Sequence, residues 1–340
     1  MAERAHERDL TADLAADLAA DLKADLKAAV DAPSFSLGID LGGTKIEAAL
    51  FDPQGTQVWR RRTATPAGDY AATLRMLAGE VAQARSVVAS LAAGAPMTVG
   101  MGTPGTQAGS GRMKNCNSTC LNGMPLQADM QAAIGQPVRL ANDANCLALS
   151  EATDGAGNGA VVVFAAILGT GTGAGIVVNG RLLTGPNGLA GEWGHNPLPF
   201  GSAGEDPPYA CYCGQQGCVE SLVCGPGLAR EHAQRHGGTL DAVAIAAHAA
   251  AGDADCAATL QRHARRLARA LAAVINLLDP DVIVLGGGLS AMPHLYAQVP
   301  AQWGEWVFAA GAAEPVRTRL LPARHGDASG VRGAAWLWRD

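Results

Sequence analysis

The chain predicts an α/β protein built from two similar halves with a cleft between them. Three observations carry that expectation. Short β-branched runs end in glycine loops at three places along the 340 residues. The order hairpin, strand, helix occurs once before residue 155 and starts again after it. Glycine stands at 43 residues against 4% aromatics, a balance that suits tight turns and close backbone approach to a ligand. No G-X-Y period accompanies it, which excludes collagen.

The elements follow in order. Residues 9–27 read DLTADLAADLAADLKADLK, with Leu10, Leu14, Leu18, Leu22 and Leu26 four apart. At 3.6 residues per turn this stripe advances about 40° beyond each turn, so it winds round a helix instead of forming a seam. Residues 1–34 are therefore expected to be an acidic Leu/Ala/Asp-rich extension, disordered or a lone solvated helix, with a contact helix for a second subunit as the alternative. Pro33 ends it. Residues 36–40 and 47–51 read as strands, with 58–63 as a third. Helical spacing covers 73–91. Strands follow at 97–101 and 138–141, the latter entering Asn142-Asp143 and a helix through Ala152. The second half brings strands at 161–168 and 174–178. Leu267, Leu271, Ile275 and Leu278 mark a helix that Asp279-Pro280 stops, before a strand at 282–285.

Composition narrows the function. A net charge of −6 argues against a nucleic-acid partner. No apolar run reaches the ~18 residues of a membrane span, and no signal peptide is visible at the start. A cytoplasmic, ligand-handling protein is expected.

Three loops share one grammar: Asp40-Leu-Gly42-Gly43-Thr44-Lys45, Gly169-Thr170-Gly171-Thr172-Gly173 and Gly286-Gly287-Gly288. Glycine brings backbone N–H groups within reach of phosphate oxygens, and Thr44, Thr170 and Thr172 add hydroxyl donors. None fits the P-loop pattern or a strand–GxGxxG–helix unit. Alone, residues 169–173 read equally well as a hairpin turn. Three such loops at strand ends in a duplicated chain point to a phosphate site.

These segments resemble the two phosphate loops and the adenosine loop of the actin, hexokinase and heat-shock-chaperone ATPase superfamily. Glu192-Trp-Gly-His195 and Cys211-Tyr-Cys213-Gly-Gln-Gln-Gly-Cys218-Val-Glu220 resemble the signature of its ROK branch (repressors, open reading frames and sugar kinases). Within that branch, four stretches beginning at Asn115, Asn142, Gly191 and His325 are similar to bacterial fructokinases, also called manno(fructo)kinases. The resemblance covers residues 36–338, and residues 1–34 have no counterpart in it.

The resemblance implies a duplicated ribonuclease-H-like fold, with 35–147 completed by 325–340 as a small domain and 148–324 as a large one. It implies ATP-dependent phosphorylation of a hexose 6-hydroxyl, with D-fructose as the first expectation and mannose or glucose beside it. A glucokinase or an N-acetylhexosamine kinase is the alternative. Repressor members carry a basic helix-turn-helix, and residues 1–34 are too short and too acidic for one. A homodimer is expected. Asp143 matches the family's general base. Gly105, Asn117, Asn142, Glu192, His195 and Glu220 match sugar-binding positions, where carboxylates suit vicinal hydroxyls. Asp40, Gly42, Gly43, Thr44, Lys45, Thr170, Gly171, Thr172, Gly286, Gly287 and Gly288 fall on the ATP side, with Asp40 reaching Mg²⁺ through water. A helix-capping role for Asp143 or Asn142 stands beside the catalytic one, and a solvated side chain beside the phosphate role for Lys45.

Eight cysteines in a chain without a secretion signal are expected to be reduced. Cys211, Cys213 and Cys218 have the spacing of a tight zinc knuckle. With His195 they fill a tetrahedral shell, so a structural zinc with no open position is expected. The competing reading is a buried histidine among small core residues. Loss of the metal is expected to loosen the sugar site and leave most ATP contacts in place. Cys116, Cys120, Cys146, Cys224 and Cys256 read as core packing.

Overall fold

A computed structural model describes residues 34–201, 204–308 and 314–339. The expected extension, Ser34 apart, lies outside the described residues. The first half contributes β1 (Phe35–Leu41), β2 (Lys45–Phe51), β3 (Gln57–Ala64), α1 (Tyr70–Leu91), β4 (Met97–Thr103), the short pair β5 (Thr106–Gln107) and β6 (Met113–Lys114), α2 (Leu126–Ile134) and β7 (Arg139–Asn142). Helix α3 (Asp143–Asp154) leads to β8 (Val162–Leu168), β9 (Thr172–Val178) and β10 (Arg181–Leu182). Then come α4 (Val219–Val223), α5 (Gly225–His236), α6 (Ala242–Ala250), α7 (Ala254–Leu278), β11 (Val282–Gly286), α8 (His294–Ala301), β12 (Arg319–Pro322) and α9 (Ser329–Trp336).

Two five-stranded sheets result, ordered β3-β2-β1-β4-β7 and β10-β9-β8-β11-β12. Each opens with antiparallel strands and continues with parallel ones, so the duplication expected from the glycine loops is present in the topology. The inner strands β1, β4, β8 and β11 are largely buried, as strands covered by helices on both faces must be. Edge strand β3 is exposed instead and carries Arg60, Arg61 and Arg62, charges that discourage pairing with another chain. The buried Glu47 carboxylate receives Arg60 Nε and Arg62 Nε, each at 2.6 Å.

Helix α3 serves both halves. Its Leu149 joins Phe51, Val331 and Trp336 beside the first sheet, whereas Leu147 and Ala148 join Val163, Val177 and Val284 of the second. Near its end Glu151, fully buried, accepts four hydrogen bonds: from Ala156 N (2.8 Å), Arg324 N (2.9 Å), His325 N (3.2 Å) and Ser329 Oγ (3.0 Å). One side chain thus ties α3 to the crossover that brings the chain back to the first sheet. There α9 lies against bare backbone. A Cβ at Gly38 or Gly100 would run into the carbonyls of Val331 or Ala334, and one at Gly333 into that of Cys146.

Candidate functional site

A cleft of about 880 Å³ opens between the two halves. It is lined from the first half by Gly105, Asn115, Asn117, Asn142 and Asp143, and from the second by Thr170–Ala174, Glu192, His195, Tyr212 and Glu220. Every residue expected to touch sugar is there, together with the second glycine loop. Gly105 is needed at its turn, with φ 84° and its α-carbon facing the backbone of Lys114–Cys116.

Asp143 begins α3 at the end of β7. Asn142 is the helix cap, its Oδ1 accepting Asn145 N at 2.7 Å, so the capping role goes to the asparagine alone. Asp143 Oδ1 accepts the adjacent Ala144 N at 2.8 Å. Burial pushes the Asp143 pKa up, against the pull of that backbone bond. Asp40, across from it at the end of β1, is pushed from 3.8 to about 6, first by burial and then by the carboxylates of Asp143 and Glu47, with Lys45 opposing. Crowded carboxylates with raised pKa values are a place where a divalent cation is favoured. The Asp40 surroundings therefore fit an Mg²⁺ ion arriving with a nucleotide.

The first glycine loop, Gly42–Lys45, closes with Gly42 N on Lys45 O at 2.9 Å and leaves Gly43, Thr44 and Lys45 exposed. It does not line the cleft. Neither do Gly286–Gly288, at the end of β11. Gly287, with φ 79°, sits under the carbonyl of Leu168, directly before the second loop. Asp40 and these two loops thus lie outside the lining of the cleft.

His195, Cys211, Cys213 and Cys218 place one ligand atom each within 4.8 Å of one another. His195 Nδ1 lies 3.5 Å from Cys211 Sγ, and Cys213 Sγ lies 3.7 Å from Cys218 Sγ. A tetrahedron with Zn–S bonds near 2.3 Å has edges of about 3.8 Å. The four donors fit structural zinc. The backbone already aligns the two segments: Leu198 N donates to Gly217 O at 3.0 Å and Val219 N to Asn196 O at 2.9 Å. With Nδ1 turned to the thiols, His195 Nε2 faces the cleft, 3.0 Å from Tyr212 Oη and 4.0 Å from Glu192 Oε2. One imidazole therefore reaches both the candidate zinc site and the cleft.

Tyr212 is the cleft residue that motif reading passed over. It is 82% exposed and packs edge-on against His195 with ring centroids 5.1 Å apart. Its place between two ligand cysteines was the available signal, because a closed knuckle carries whatever stands there to the same rim.

A profile described as the ROK family matches residues 36–340. The chain is 39% identical over 314 residues to an N-acetyl-D-glucosamine kinase of Pectobacterium atrosepticum, covering 88% of this chain and 97% of that one. Among solved structures, a ROK hexokinase from Thermus thermophilus has a TM-score of 0.75 at 31% identity, over 88% of this chain and 96% of that one. A ROK glucokinase from Streptomyces griseus, in complex with glucose and AMPPNP, has a TM-score of 0.69 at 28% identity, over 90% and 99%. These relatives back the N-acetylhexosamine alternative better than the fructose expectation. The match spans both sheets, the knuckle and the cleft between them, and the chain belongs to the ROK family.

Proposed function

We propose that the protein transfers the γ-phosphoryl group of ATP to the 6-hydroxyl of N-acetyl-D-glucosamine. The observation that carries the phosphotransfer is the convergence of Asp143, Glu192, His195 and Glu220 on the cleft that the second glycine loop also lines. Relatives named N-acetyl-D-glucosamine kinase at 37–39% identity favour that sugar. Glu192, Glu220 and His195 Nε2 accept or donate hydrogen bonds to ring hydroxyls, and Asn117 and Asn142 hold the opposite edge. Asp143, its carboxylate directed by Ala144 N, takes the proton of the attacking 6-hydroxyl. Backbone N–H groups of Thr170 and Gly171 face the phosphates. Asp40 would hold Mg²⁺, and the ion, when bound, would neutralise charge on the transferring group.

ADP formation measured across N-acetylglucosamine, glucose, mannose and fructose tests the reading. The expected order places N-acetylglucosamine first in kcat/KM by about tenfold or more, the discrimination available when a site hydrogen-bonds one substituent. A higher kcat/KM for fructose overturns the sugar assignment. Hexose binding without ADP formation overturns the kinase itself.

A further inference from the structure

Glu220 stands in the first turn of α4, two residues beyond the ligand Cys218. Its Oε2 accepts the backbone N–H of Thr172 at 2.8 Å. A Cβ on Gly171 would lie 2.8 Å from the same oxygen, and Gly171 is not among the glycines with positive φ. Glycine at 171 therefore answers to the space that the carboxylate occupies, not to backbone conformation. At the other end of the loop, Gly225 N donates to Gly169 O at 2.8 Å. The short segment 220–225 thus grips the second glycine loop at both ends.

We propose that Glu220 is a positioning residue for the nucleotide: its carboxylate sets the conformation of the 169–173 loop while its other oxygen remains for the sugar. The proposal rests on the reading of the cleft as a sugar-kinase site. One side chain then belongs to both substrates, and sugar and nucleotide bind with mutual dependence. The loop amide spent on Glu220 is fixed in direction before phosphate arrives, which lowers the ordering cost of binding.

Calorimetric titration of the full chain with AMPPNP and Mg²⁺, with and without N-acetylglucosamine, decides the matter. Zinc content and Tm are measured on each protein. In the sugar-free state Glu220→Ala is expected to weaken AMPPNP binding about tenfold or more, the loss of a charge-assisted hydrogen bond. Glu220→Gln restores it to within about threefold, since an amide oxygen accepts the same N–H. Gly171→Ala, which displaces the carboxylate without altering it, weakens binding as Glu220→Ala does, and it decides alone where Glu220→Ala does not fold. Folded Glu220→Ala or Gly171→Ala protein that binds AMPPNP within about twofold of wild type overturns the positioning role. Wild-type protein that binds AMPPNP but no N-acetylglucosamine overturns the sugar assignment, and the sugar-free arms still decide the role of Glu220. Wild-type protein that binds no AMPPNP overturns both.

Discussion

Asp143 and Asn142 divide two tasks that adjacent residues of similar shape can share. Because Asn142 caps α3, Asp143→Asn leaves the cap intact. It is expected to lower kcat by roughly 10²–10⁴-fold, the usual contribution of a general base, with sugar affinity reduced far less and Tm at neutral pH raised instead of lowered, because burial disfavours the Asp143 carboxylate and an amide carries no charge to desolvate. A folded variant with wild-type kcat removes Asp143 from the reaction. Asp40 makes a different forecast. Its pKa rises from 3.8 unfolded to about 6 folded, so the folded state holds its proton more tightly. Stability from this group is full below about pH 4 and is lost as pH rises through 6. Asp40→Asn should therefore stabilise the ligand-free protein at pH 7 by up to about 3 kcal/mol, from the shift of 3.8 to about 6, and by almost nothing at pH 4, while activity falls. Urea unfolding at the two pH values checks it; an equal gain at both contradicts the origin assigned to the shift. At this scale the site was largely legible, because the knuckle and the Asn142-Asp143 pair carry their chemistry within a few consecutive residues. The sugar was not: hexoses differ by one substituent, and which side chain meets it depends on the path of the loop between His195 and Cys211.

The elements were read unevenly for a physical reason. Only the last part of α7 showed apolar spacing, since its buried face also holds His263, Arg266 and Arg269. These arginines clamp that loop. Arg266 Nε meets Asp206 Oδ1 at 2.9 Å, Arg269 Nη2 meets Asp206 Oδ2 at 2.7 Å, and Arg269 Nη1 meets Phe200 O at 2.8 Å. Arg266 also pairs with the buried Glu231. Asp206→Asn leaves the buried Arg269 without its carboxylate, while Arg266 keeps Glu231, and is expected to cost about 3 kcal/mol. Chemical denaturation reads that loss, and a loss below about 1 kcal/mol, the worth of an exposed pair, contradicts burial of the cluster. The knuckle is the second element whose effect extends beyond itself. Elemental analysis should find one zinc per chain in folded, active protein; a clear shortfall rejects the site. The sequence alone predicts that metal loss leaves most ATP contacts in place. The Thr172–Glu220 bond now ties the loop to the segment beside Cys218, so chelation is expected to weaken AMPPNP and sugar binding together. Unaltered AMPPNP affinity in zinc-free, folded protein goes against that coupling.

Across the whole molecule, the repeated strand order was visible in the glycine loops, but α9 was not seen as a helix. Gly330 and Gly333 look like turn residues in sequence, and their reason is tertiary: Gly330 faces the Asp40 carboxylate and Gly333 faces the carbonyl of Cys146. The first sheet begins at Phe35, yet its partner α9 spans Ser329–Trp336. On the ribosome, β1 and β4 must therefore wait for nearly all the remaining chain before Gly38 and Gly100 are covered. Non-local closure of this kind slows folding and leaves apolar surface open in the interval. A chain ending at Arg324 is expected to lose the cooperative transition of the first half and to bind an apolar dye such as ANS, while wild type does not; a sharp, dye-free melt of that shorter chain would show that α9 is dispensable. The strand order that duplicates the fold in space thus leaves its two halves unequal in time: the half translated first is the last that can finish, and a nascent chain is open to chaperones and proteases until the final helix emerges.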